Sequence, residues 1–224
     1  MRPIRDNALS LLFGALFVLA LVGQSVAGWF ENNERLAQHS LSPESYTSFL
    51  TSSEFVVDVA ENWQSEFLQF FLFIVATIWL VQRGSPESKK PGDEGPGDDE
   101  EQLVGEYARP DSPEWARARG IRQTIFSNSL LLVMGTVFVL SWLAQSLAGT
   151  VVMNSENAQH DQPAITWLDY LSTSDFWSRT LQNWQSEFLA VGAMIALSIF
   201  LRQRGSSESK PVGAPHHQSA VESE

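Results

Sequence analysis

From Ala8 to Trp29 the chain runs 22 residues without an Asp, Glu, Lys or Arg, and no other stretch limits the fold so strongly. A helix rises 1.5 Å per residue, so about 20 such residues cross the roughly 30 Å hydrocarbon core of a bilayer. Residues 129–149 form a second uncharged block of that size. Two shorter apolar blocks run from Phe67 to Val81 and from Phe188 to Leu201. Upstream of each, apolar residues recur at three- and four-residue steps: Val56, Val59, Ala60 and Trp63 in one case, Trp177, Thr180, Leu181 and Trp184 in the other. This predicts short amphipathic helices that lie at the interface and run into the spans, with Ser53 and Ser174 as N-caps followed by first-turn acids. The acids behind the net charge of -12 collect in the connecting segments and the tail. A soluble core would instead mix polar residues through its apolar ones at helix or strand period. The sequence therefore reads as an all-α integral membrane protein with four transmembrane helices, at about 8–29, 64–82, 129–149 and 185–203.

The blocks repeat. Sliding the chain by 121 positions aligns residues 7–89 with 128–210 without a gap, and roughly two in five positions are then identical, the mark of internal duplication. Identities fall in clumps: GQSVAG against AQSLAG, AQH at 37–39 against 158–160, NWQSEFL at 62–68 against 183–189, and QRGSPESK against QRGSSESK. The predicted architecture is two tandem helical hairpins, residues 1–90 and 121–210. An acidic disordered linker at 91–120 joins them, and a disordered tail follows at 211–224. The linker run PGDEGPGDDEEQ has too little apolar surface to fold alone.

Basic residues orient the spans. Twelve lie before span one, between spans two and three, or after span four; only Arg35 and Arg179 lie in the other two loops. The positive-inside rule makes both termini and the linker cytoplasmic. Two spans per copy give both copies the same orientation, as in parallel-repeat transporters. The first block also resembles a secretory signal peptide with a small-residue cleavage site at Ser25-Val26-Ala27. Its equivalent, with Ser146-Leu147-Ala148, lies mid-chain, which argues for a retained span.

Glu66 and Glu187 stand at the mouths of the two shorter blocks. Ionisable side chains in a membrane segment are costly and mark functional sites by default. Antiparallel packing of each hairpin predicts that Gln24 and Ser25, or Gln145 and Ser146, reach the depth of Gln64, Ser65 and Glu66, or Gln185, Ser186 and Glu187, where a Gln or Ser meets the carboxylate. The candidate polar or ion site is thus Glu66, Glu187, Gln24, Gln145, Ser65 and Ser186, with Trp63 and Trp184 as interfacial anchors. The plainer reading is that each glutamate only complements the positive end of a span. His39 and His160 form the other repeated pair. No motif at metal-binding spacing accompanies them, so no metal site is expected.

No cysteine is present, which removes thiol chemistry, and an acidic chain without a basic patch argues against nucleic acid. No catalytic or nucleotide-binding motif appears, and neither an enzyme nor a cofactor is expected. RDNALSL, GQSVAGW, NWQSEFLQ and QRGSPESK, within residues 3–210, resemble a family of small bacterial membrane proteins known as a domain of unknown function. The resemblance implies residence in the bacterial inner membrane and brings no activity with it. The expected partners are the lipid bilayer and either a second copy or another membrane protein. The expected role is structural or partner-binding, with a small oligomeric transporter or channel built on Glu66 and Glu187 as the alternative.

Overall fold

The computed structural model describes residues 2–219; residues 220–224 of the expected disordered tail lie outside it. Among the described residues the fold is all-helical, with eight α-helices: α1 (Arg2–Asp6), α2 (Ala8–Gln38), α3 (Tyr46–Phe49), α4 (Ser53–Trp79), α5 (Ile121–Ser127), α6 (Ser129–Gln159), α7 (Trp167–Tyr170) and α8 (Ser174–Phe200). Two short 3-10 turns, Gly105–Tyr107 and Glu114–Arg117, punctuate the acidic linker. The helices α2, α3 and α4 recur as α6, α7 and α8 with both ends displaced by the same 121 residues.

Local chemistry sets these ends. After α2, Ser40 takes a left-handed φ of 58° and the Leu41 N–H reaches back to Leu36 O at 2.9 Å. After α6, Asp161 (φ 55°) and the Gln162 N–H on Asn157 O at 2.8 Å do the same. This is a Schellman stop built without glycine, in a region where a side chain costs about 1–2 kcal/mol. The N-caps of α4 and α8 are Ser52 and Thr173, whose hydroxyls accept from the Phe55 and Phe176 N–H groups. Each lies one residue before the serine expected from sequence, because the cap must stay outside the helix to accept from its third N–H.

Two expectations are corrected. NWQSEFL does not join an interfacial helix to a span: it lies inside one unbroken 27-residue helix in each copy. The separate short helices of the loops are α3 and α7 instead. Also, α4 and α8 stop at Trp79 and Phe200, three residues short of the expected span ends at 82 and 203. In α8 the Arg202 guanidinium takes the last-turn carbonyls of Ser198 and Ile199. Beyond both helices the chain folds into matching turns, where Ser88 Oγ accepts from Gln82 N–H (2.7 Å) and Ser209 Oγ from Gln203 N–H (2.9 Å). Gly84 and Gly205 sit inside those turns at φ 87° and 82°.

Two helices, α2 and α6, are long and apolar enough to cross a membrane, and only 6% and 11% of their most apolar windows is buried inside the protein. The first halves of α4 and α8 carry acids, an arginine and amides, which dilute their apolar character below that mark.

The chain divides into two compact units, residues 1–60 with 144–171 and residues 61–143 with 172–224. Each draws on both copies. In the first unit, Gly28 and Gly149 make room for the buried Phe49 and Tyr170: a Cβ at Gly149 would lie 2.4 Å from Tyr170 Oη, and one at Gly28 3.1 Å from Phe49. In the second, Trp142 stacks on Phe138 and Phe176 at 5.7 and 6.0 Å between ring centroids and meets Trp184 at 6.0 Å. A Cβ on Gly135 would press on the ring of Phe71 there.

Candidate functional site

The repeated glutamates lie in the second unit. Glu66 is exposed and Glu187 half-buried, and the charge that Glu187 feels is that of Glu66. Their neighbours are held tightly. Gln64 is fully buried, donating through Nε2 to Glu61 O (3.1 Å) and accepting at Oε1 from the Trp184 indole N–H (2.7 Å). Ser65 and Ser186 turn their hydroxyls onto their own helices, donating to Asn62 O (2.9 Å) and Asn183 O (2.8 Å). Trp184 is thus engaged within the protein, whereas Trp63 remains 39% exposed.

The partners expected from α2 and α6 belong to the first unit. Gln24 is exposed there and Gln145 fully buried. The adjacent serines hold the loop helices: Ser25 Oγ shares a 2.8 Å hydrogen bond with Tyr46 Oη, and Ser146 Oγ accepts from Trp167 Nε1 at 3.0 Å. Each serine, with the glycine one turn further on, forms a docking notch for the short helix. That accounts physically for the QSVAG and QSLAG clumps.

Sequence reasoning missed a polar clamp beside the glutamates. Arg179 Nη1 meets Glu61 Oε2 at 3.2 Å, its Nε meets Asp175 Oδ1 at 3.4 Å, and Asn183 Nδ2 donates to Glu61 Oε1 at 3.3 Å. Burial works against the charge on Arg179, but the two carboxylates outweigh it and hold its pKa above the ordinary arginine value. The signal was present in the sequence: Arg179 occupies the position of Asp58 in the other copy and stands one turn from Asp175.

A second missed element is an asparagine staple. Asn33 donates to Glu44 O (3.1 Å) and accepts from Glu44 N–H (2.6 Å); Asn154 does the same with Ile165, at 3.0 and 2.8 Å. A single amide thus satisfies both backbone groups of the residue that leads into the short helix.

The histidines of AQH also meet in the first unit. His39 and His160 line one cleft of about 140 Å³ together with Arg35, Glu54, Glu156 and Gln159. It adjoins a wider hollow of about 340 Å³ that shares Arg35, His39, Glu54 and Gln159. Among the described residues no group of three His, Asp or Glu side chains is arranged to hold a metal ion.

Outside the helices, the two QRGSxESK turns bring Glu87 to Glu208. Burial, then the hydrogen bond and charge of Glu208, hold the Glu87 carboxyl above the usual range. The backbone N–H groups of Glu87 and Glu208 are capped by Ser85 and Ser206 in the same way.

No curated protein and no solved structure matches the chain. A family model covering both copies does match, over residues 1–221, and the chain belongs to that family, described as a domain of unknown function (DUF6766).

Proposed function

We propose that the protein is a four-span protein of the bacterial inner membrane, with a structural or partner-binding role and no catalytic chemistry of its own. The observation that carries this reading is the surface of α2 and α6. Leu9, Leu12, Phe13, Leu16 and Leu19 on one, and Leu130, Val133, Val139 and Leu140 on the other, are each about half exposed or more. In water so much contiguous apolar area is a liability of roughly 25 cal/mol per Å²; in lipid it is matched. The second and fourth spans are the apolar halves of α4 and α8, reached through the polar turn that carries Glu66 or Glu187. The basic residues at both termini and in the linker give the orientation, termini inside.

The absence of cysteine makes the test free of background labelling. A single Ser42→Cys is expected to react with an impermeant maleimide in intact cells, and a single Asp99→Cys only after permeabilisation. Labelling of Asp99→Cys from outside defeats the four-span topology, because α4 then returns no chain across the membrane.

One observation favours a second reading, an oligomeric transporter or channel: Glu66 and Glu187, identical positions of the two copies, lie in the same unit, where the charge of Glu66 acts on Glu187. On that reading Glu66→Gln with Glu187→Gln abolishes pH-dependent ion flux in proteoliposomes. Flux that survives the double change, or none in the parent protein, removes it.

A further inference from the structure

The cleft at the ends of α2 and α6 has two walls taken from equivalent places in the two copies. His39 faces it from one copy and His160, 121 residues later, from the other. One turn before each histidine the copies part company: the position of Arg35 in the first copy is that of Glu156 in the second, and both line the cleft. The cavity therefore has a cationic wall and an anionic wall with an imidazole on each. Among the described residues no ion pair joins Arg35 to Glu156 across the cleft: Arg35 donates to Asn32 Oδ1 at 2.9 Å and makes a long ion pair, 3.9 Å, with Glu54 on the rim, which a bound anion would have to share.

We propose that this cleft binds a small zwitterion, with its acidic anion against Arg35 and its primary ammonium against Glu156 and Glu54. Opposite charges on facing walls disfavour a simple anion or cation, which gains from one wall and is repelled by the other. Arginine suits a phosphate or carboxylate because its planar fork pairs with two oxygens, and the imidazoles add hydrogen bonds on either side. The inference rests on the membrane reading in one respect, the source of the ligand. Arg35 and Glu156 lie about 5–8 Å of helix beyond Phe30 and Met153, where the long apolar runs of α2 and α6 give way to polar residues, a depth comparable to a headgroup layer. That depth points to an ethanolamine phospholipid headgroup, with a free zwitterion as the other source of the same chemistry.

The experiment is native mass spectrometry of the full chain in detergent, titrated with phosphatidylethanolamine and, separately, phosphatidylglycerol. The expected result is retention of phosphatidylethanolamine about tenfold above phosphatidylglycerol, reduced about tenfold by Arg35→Gln or by Glu156→Gln, as for loss of one charged hydrogen bond. The exchanged protein, Arg35→Glu with Glu156→Arg, is expected to regain retention, which loss of packing does not mimic. Displacement of the lipid by millimolar O-phosphoethanolamine identifies a free zwitterion as sufficient; no displacement, with the lipid still retained, identifies the lipid. Equal retention of the two lipids together with no binding of O-phosphoethanolamine, or indifference to both single variants, overturns the proposal. Each protein is also floated with vesicles. Failure to float defeats the membrane reading alone, since O-phosphoethanolamine binding still tests the cleft.

Discussion

The loop that leads into α3 and the loop that leads into α7 share few residues and one construction; the NWQSEFL runs of α4 and α8 share every residue and differ in what those residues do. In the loops, Tyr46 and Trp167 both hang on a serine, Phe49 and Tyr170 both press on a glycine, and Asn33 and Asn154 both staple the backbone. In the helices, Gln64 is fully buried while its counterpart Gln185 is exposed, and Trp184 donates its indole N–H to Gln64 while Trp63 is 39% exposed. A position is retained by its mechanical duty in the first case. In the second, equal residues meet unequal neighbours, so identity between copies does not imply equal burial.

The comparison is most sharply broken at the glycines. Gly149→Ala places a methyl against the buried ring of Tyr170 and is expected to cost about 1–3 kcal/mol, the usual range for overpacking. Gly28→Ala is expected to cost less, because the contact at Phe49 is looser by 0.7 Å (3.1 against 2.4 Å). Thermal unfolding in detergent, followed by tryptophan fluorescence, checks both; equal costs contradict the asymmetry. The next effect is smaller. Trp184→Phe removes the donor to Gln64 and leaves that buried amide short of a partner, at about 1 kcal/mol or somewhat more in the same unfolding measurement.

The smallest effect separates the two short helices by pH. Asp169 closes a capping box with Thr166, and the Thr166 hydroxyl, then its backbone N–H, hold the Asp169 carboxyl below the ordinary aspartate range. A carboxyl whose folded pKa is lowered stabilises above its unfolded pKa, and that contribution goes as pH falls through the folded value. The α7 loop is therefore expected to loosen to proteolysis in acid below the normal aspartate titration. Asp169→Asn removes this dependence. The α3 loop, with Ser48 at that position, is expected to show no such step from its cap. Acid sensitivity of equal size in both loops contradicts the assignment.

Much of the helical framework was legible beforehand. Uninterrupted apolar runs drew α2 and α6, and first-turn acids placed the starts of α4 and α8 within one residue. The polar turn inside NWQSEFL suggested a joint that is absent: a helix continues through Gln and Ser when their side chains find partners, and such partners are invisible in a linear pattern. Trp63 and Trp184 read as one kind of residue because interfacial tryptophans and packed tryptophans have the same local signature. Ser25 and Ser146 were assigned to the glutamates on depth alone, although each had an aromatic partner closer along the chain.

By itself the sequence determined the starts and apolar character of α2 and α6, the doubling at 121 residues and the crowding of basic residues into the termini and the linker. These follow from composition and spacing along one chain, which chain connectivity carries unchanged into the fold. Only the tertiary structure decided that Gln64 is paired while Gln185 is not, that Arg179 locks onto Glu61, and that Arg35 and Glu156 line one cleft. Those outcomes depend on which side chains meet across helices, where burial and pairing energies are set by neighbours distant in sequence.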